Sequence, residues 1–199
     1  MRSKDPDSAT RRKLLDAAQG LMLAKGFVAT SVDEICSEAG VTKGSFFHYF
    51  ESKEALGKEA LERFAAGQEC KFGEALEGIE EPLERVYALI EVGMKTSRSH
   101  STQGCLVGTF AQEISQTHPD LRASCERIFD GFADMVTRDL AAAKAKHAPK
   151  ADFDPRSLGE LFLAVIQGSL LVMKATGDRK QMEGNLRHLK TYIQKLYGK

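Results

Sequence analysis

The chain has 199 residues, 42% hydrophobic and 28% charged, with 28 basic and 28 acidic side chains and a formal net charge of zero. That length allows one sizeable core, or a small module beside a larger one, and the charge balance excludes a nucleic-acid binder that works through bulk basicity. Cys36, Cys70, Cys105 and Cys125 are widely spaced, with no Cys-x-x-Cys pair and no histidine at zinc-ligand distance in sequence, so neither structural disulfides nor a metal or cofactor site is expected.

The N-terminus, Met1 to Pro6, lacks the apolar run of a signal peptide. No later stretch reaches the roughly 20 apolar residues that span a bilayer, and the expectation is a cytoplasmic chain without membrane contact. Nearly every segment reads with helical period and none with the alternation of a strand, which makes the fold class all-α.

The first helix starts near Thr10, carries Leu14, Ala17, Ala18, Leu21 and Met22 on one face, and stops at Gly26, a residue suited to a left-handed cap. Phe27 then re-enters the core. Ser31-Val-Asp-Glu34 is a capping box that opens a short second helix, ended by Ala39-Gly40. Thr42 caps an even shorter third helix carrying Lys43 to Tyr49. Two short helices joined by a tight glycine turn make a helix-turn-helix. Ser52 caps a long fourth helix through Leu56, Ala60 and Phe64.

Pro82 opens the fifth helix, with Leu83, Val86, Tyr87, Ile90 and Met94 as its apolar stripe, and Ser99 to Gly104 is a polar break. The sixth helix covers Cys105 to Ser115. His118-Pro119 starts the seventh, whose inward face holds Leu121, Cys125, Ile128, Phe132 and Met135. Asp154-Pro155 caps and starts the eighth, which runs to about Thr176 before Gly177. The eighth helix is apolar almost all round between Leu158 and Met173, which a surface helix is not. In the ninth, Met182, Leu186, Leu189, Ile193 and Leu196 recur at spacings of four and three, a helix-packing seam. Leu158, Val165, Leu186, Leu189 and Ile193 thus read as a dimerisation set forming half of an intermolecular four-helix bundle, or else as the completion of the monomer's own core.

The run "TRRKLLDAAQGLMLAKGFVATSVDEICSEAGVTKGSFFHYFESKEAL" resembles the N-terminal DNA-binding domain of TetR/AcrR transcriptional regulators. The likeness lies in its helix lengths, the Gly26-Phe27 exit, the Thr30-Ser31-Val32 start and the Lys43-Gly44 to Phe50-x-x-Lys53 core. Further on, "GCLVGTFAQE" at Gly104 to Glu113 and the helix count also resemble the family. The resemblance implies a homodimer that binds a double-stranded DNA operator and is released by a small-molecule effector. The implied organisation is a three-helix head at residues 1–54 and a helical effector-binding and dimerisation domain at residues 55–199.

On the third helix, Phe46 and Phe50 lie four residues apart toward the core, leaving Gly44, Ser45 and His48 to enter the major groove. Thr42, Lys43, Ser45, His48 and Tyr49 can reach base edges or phosphate. Lys53 resembles the family's phosphate-contacting lysine, and Ser31 sits where a helix N-terminus can meet another phosphate. Phe47 departs from the pattern, which usually has a tyrosine that hydrogen-bonds phosphate there. Cys36 replaces the usual alanine after Ile35. Residues 1–60 hold equal numbers of basic and acidic side chains, so a positive face must come from clustering. Arg2, Lys4, Arg11, Arg12 and Lys13 supply either an arm along DNA or a solvated end.

Phe64, Met94, Cys105, Phe110, Phe129, Phe132, Met135, Phe162 and Ile166 are the candidate effector-lining residues, an apolar and aromatic set that also reads as ordinary core. Cys105 follows Gly104 at the start of the sixth helix, where exposed amides favour a thiolate. A thiol sensor of electrophiles and a packed cysteine both fit it, whereas Cys125 reads as core. The rival classes are an enzyme and a helical adaptor without a DNA role. His48, His100, His118, His147 and His188 are scattered without a nucleophile or metal set, and Glu80, Glu81 and Glu113 read as solvated charges, so no enzymatic activity is expected.

Overall fold

In the computed structural model, residues 8–99 and 104–198 are described, and among them the chain forms nine α-helices and no strand. The helices are α1 (Ala9–Lys25), α2 (Val32–Ala39), α3 (Lys43–Tyr49), α4 (Lys53–Leu76), α5 (Pro82–Arg98), α6 (Leu106–Ile114), α7 (Pro119–His147), α8 (Pro155–Thr176) and α9 (Arg179–Leu196). His100, Arg2 and Lys4 lie outside the described residues.

Packing groups the chain into two compact units. The first joins residues 1–67 to 105–127, and the second joins 68–104 to 128–199. The reason for the first grouping is apolar: α6 adds Leu106, Phe110 and Ile114, each fully buried, to a core made by Leu14, Ala18 and Met22 of α1 with Ile35, Phe46 and Leu56. The Phe27 and Phe110 rings meet at 5.1 Å. Gly57 leaves room for that pair, since a Cβ there would come within 3.0 Å of Phe27 and 3.3 Å of Phe110.

Local chemistry bounds α2, the start of α3 and the start of α4 as the sequence expects. Ser31 and Glu34 form the complete capping box, Thr42 accepts the Ser45 amide, and Ser52 accepts the Ala55 amide. Gly40 turns the chain with φ 64° and ψ 39°. Gly26 differs: φ 93° with ψ 166° is an extended glycine conformation rather than a left-handed cap. It swings the chain outward so that the Val28 amide donates to Glu113 Oε2 at 3.0 Å. Glu113 is therefore a bonded carboxylate, not a merely solvated one.

In the second unit, α9 packs on both α5 and α8. Leu186 and Ile193 are fully buried, Met182 and Leu189 nearly so, facing the α5 stripe of Leu83, Val86, Tyr87 and Ile90. Gly93 permits the approach, because a Cβ there would meet Leu186 Cδ1 at 3.0 Å. Asp154 caps α8 through the amides of Arg156 and Ser157, Gly177 ends it left-handed, and Asp178 caps α9. The Tyr197 hydroxyl donates to the Leu140 carbonyl at 2.7 Å and closes the chain onto α7. Glu81 is also engaged: bonds from His147 and then Lys146 hold its carboxyl down to about 2. By length and composition α8 could span a membrane, with a mean hydropathy of 1.5 over its most apolar window. The sequence expectation that no stretch is apolar enough is corrected to that extent.

Candidate nucleic-acid interface

The helix-turn-helix is positioned by burial on one side of α3. Phe46 is fully buried and Phe50 is 3% exposed, and at 3.6 residues per turn this directs Lys43, Gly44, Phe47 and His48 outward. These four form a continuous exposed strip. Thr42 is exposed beside them but its hydroxyl is used for capping, lying 3.1 Å from Ser45 Oγ. Ser45 is half-buried.

Several expected contacts are already occupied within the head. Lys53 Nζ donates to the Phe27 carbonyl at 3.0 Å and the Thr30 carbonyl at 2.9 Å, and stands 4.3 Å from the centre of the Phe27 ring. An ammonium has three protons, so Lys53 first anchors the turn before α2 and has one donor left for a phosphate. The Tyr49 hydroxyl shares a hydrogen bond of 2.8 Å with Ser8 Oγ, which ties α3 to the start of α1. At Ser31, the amide donates to Glu34 Oε2 at 2.9 Å and the hydroxyl lies 2.9 Å from the same oxygen. The Glu34 carboxyl is lowered to about 2, first by its bond from Lys25 and then by the Ser31 amide. The Ser31–Glu34 pair thus closes the start of α2 as the capping box that the sequence displays.

Lys43 reaches Asp33 Oδ1 at 2.8 Å with both side chains exposed, an ion pair that raises the lysine pKa and keeps it cationic. Such an exposed pair contributes little and exchanges readily for another anion. Arg11 pairs with Glu59 and lies 5.4 Å over the Phe50 ring. Sequence reasoning did not give the contacts of Asp33, Thr30 and Glu113. Thr30, 1% exposed, donates its hydroxyl to the Gly26 carbonyl at 2.6 Å.

The nine effector-lining candidates divide between the units. Phe64, Cys105 and Phe110 fall in the first, and Met94, Phe129, Phe132, Met135, Phe162 and Ile166 in the second. Phe110 is core, fully buried against Phe27. In the second unit Phe132 stands between Phe72 at 5.4 Å and Phe162 at 5.9 Å, an aromatic row joining α4, α7 and α8. Met94 is buried in the α5 stripe, while Phe129, Met135 and Ile166 are half-buried.

Cys105 is the N-cap residue of α6 and is half-buried. The other thiols are less suited to reaction. Cys36 is buried and raised by desolvation, and Cys125 is buried and pushed up to about 11 by desolvation, with the Cys105 thiol adding to the effect. Cys70 is exposed but raised by its bond to Glu74.

The proposed dimerisation set is only partly outward. Leu158 of α8 is 4% exposed, and Leu186, Leu189 and Ile193 are 4% exposed or less because α9 turns its regular seam toward its own chain. What remains outside is a second apolar face, with Leu161 41%, Val172 36% and Tyr192 48% exposed. These line a groove of about 470 Å³ between α8 and α9, together with Ala164, Val165, Gly168, Ser169, Asn185, His188 and Leu189. Val165 and Leu189 are the two residues of the expected set that reach it.

Comparison with known proteins places these features in a wider group. The family described as "Bacterial regulatory proteins, tetR family" matches residues 14–60, and "Tetracyclin repressor-like, C-terminal domain" matches residues 82–189. The HTH-type transcriptional repressor NemR of Escherichia coli is 28% identical over 96% of this chain and 97% of its own length. The transcriptional regulator AcuR of Cereibacter sphaeroides is 30% identical, covering 85% of this chain and 78% of that protein. The crystal structure of a regulatory protein TetR from Rhodobacter sphaeroides superposes with a TM-score of 0.84 at 27% identity, covering 93% of this chain and 99% of the other.

Proposed function

Because the chain belongs to the TetR family of bacterial regulatory proteins, we propose that α3 is the recognition helix through which it represses transcription at a two-fold operator. Family membership makes it a DNA-binding transcriptional regulator released by an effector. The observation that carries the assignment to α3 is its division into a buried Phe46–Phe50 side and an exposed Lys43, Gly44, Phe47 and His48 strip. A helical adaptor would have no reason to keep such a strip clear. Two copies joined through the α8–α9 groove would present two α3 strips to DNA, as two-fold half-sites require. The setting is the cytoplasm, where operator DNA lies.

Fluorescence-anisotropy titration on the DNA upstream of its own gene, over a series of salt concentrations, tests the reading. Lys43→Ala is expected to weaken binding and to reduce the magnitude of the salt slope by about 1 per lysine removed from phosphate. An unchanged slope would remove Lys43 from the phosphate contacts.

The effector we assign is small and apolar or electrophilic. The aromatic row of Phe72, Phe132 and Phe162 suits the apolar class. The electrophile reading rests on Cys105, half-buried at a helix N-cap while Cys36 and Cys125 are buried. Its test is Cys105→Ser in the same titration with a quinone added. The parent is expected to lose affinity about 5–150-fold, the usual span of allosteric coupling, and the variant to keep it. Equal release of both proteins would assign the response to a non-covalent ligand.

A further inference from the structure

Resting on the reading of α3 as the recognition helix, we propose that Phe47 reads the C5-methyl group of a thymine in each operator half-site. A single exposed apolar side chain is ordinary on a protein surface, so the 51% exposure of Phe47 does not by itself point anywhere. Its setting does. The ring stands edge-on to the buried Phe46 ring, with centroids 5.1 Å apart and planes at 80°, so the side chain is braced from beneath. One turn earlier, Gly44 leaves the strip open, since a Cβ there would meet only Thr42 Oγ1, at 3.8 Å. Lys43 and His48 flank the ring and are exposed, so the apolar content of the strip is confined to one phenyl group.

A phenyl ring has no hydrogen-bond donor or acceptor. It cannot hold a phosphate oxygen, nor bond to the donor and acceptor groups of a base edge. The apolar feature that the major groove presents is the thymine methyl, which separates A·T from G·C pairs and is met by apolar side chains. Hydrophobic contact with that methyl is the recognition chemistry Phe47 can offer, and it specifies a base where a phosphate contact would only position the protein.

The test uses the full-length protein. Duplexes bound by it are selected from a random-sequence library, and each thymine of the selected site is then replaced in turn by deoxyuridine. That change removes the methyl and keeps every hydrogen-bonding group. At one position per half-site, deoxyuridine is expected to weaken binding about fourfold, the effect of one methyl-sized group returned to water. Phe47→Ala is expected to bind the thymine and deoxyuridine sites equally, and Phe47→Leu to retain part of the difference. Equal binding by the parent at every substituted position would overturn the proposal, and so would a methyl preference that survives in Phe47→Ala. Should Phe47→Ala fail to fold, Phe47→Leu decides, since an undiminished methyl preference in it would count against the ring. Selection of no duplex by the parent would overturn the regulator reading itself, a result distinct from bound sites that ignore the methyl.

Discussion

Alanine at Gly26 is expected to lower the stability of the first unit by about 3 kcal/mol, combining backbone strain with a lost charge-assisted bond. The position combines φ 93° with ψ 166°, a conformation essentially reserved for glycine, and an L-residue there costs of order 1–3 kcal/mol. In addition, the new Cβ would fall on the Glu113 carboxylate. Glu113 must leave, and the Val28 amide loses its acceptor. Because Glu113 is exposed, that bond is set at about 1 kcal/mol, below the range of buried charge-assisted bonds. For a chain of this size the sum corresponds to a fall in Tm of roughly 6–12 °C, read by circular dichroism. Glu113→Ala should show the lost bond alone, and Gly26→Ala in its background should show the strain alone. A Gly26→Ala melt within a degree or two of the parent would mean that the turn relaxes at no cost. The same turn carries the Phe27 and Thr30 carbonyls that hold Lys53, so operator affinity should fall along with stability.

Leu161→Asp is expected to turn the dimer into a monomer at micromolar concentration. Leu161 is 41% exposed on the α8–α9 groove, and in a two-fold interface every substitution enters twice. Each unpaired carboxylate taken out of water costs several kcal/mol. The dimer dissociation constant should therefore rise by at least about a thousandfold, since every 1.4 kcal/mol is tenfold. Operator binding should collapse with it, because two linked heads gain from effective concentration and one head does not. Sedimentation equilibrium measures the first effect and anisotropy the second. Leu186→Ala is the contrasting variant: fully buried within one chain, it should cost about 2–5 kcal/mol of folding stability without selectively splitting the dimer. If Leu161→Asp remains as tightly dimeric as the parent, the groove is not the interface.

The two substitutions separate what could be foreseen from what could not. The capping box at Ser31–Glu34, the Thr42 and Ser52 caps, the Pro82 and Pro155 starts and the Gly40 and Gly177 turns are made by groups within about four residues of each other. Sequence displays such chemistry directly. The burial of Phe46 and Phe50 was legible for the same reason, since helical period alone puts both on one side. The carbonyls that hold Lys53 lie 23 and 26 residues away, the Ser8 bonded to Tyr49 lies 41 away, and the Val28 amide bonded to Glu113 lies 85 away, separations at which the sequence shows no pairing. In α9 the regular seam was visible, but both an intermolecular and an intramolecular partner satisfied it. The outward Leu161 and Val172 left only a faint mark, the apolar character of α8 all round its circumference.

By itself, then, the sequence determined the helices of the described residues, most of their starts, and the helix-turn-helix with its inward and outward sides, because caps, turns and periodicity are local properties of the chain. Only the tertiary structure decided that α6 packs with α1, that Lys53 and Glu113 clasp the turn before α2, and that the α9 seam faces inward. Periodicity specifies which residues share a helical face. What that face meets depends on the packing of segments far apart in sequence, and no short-range pattern encodes it.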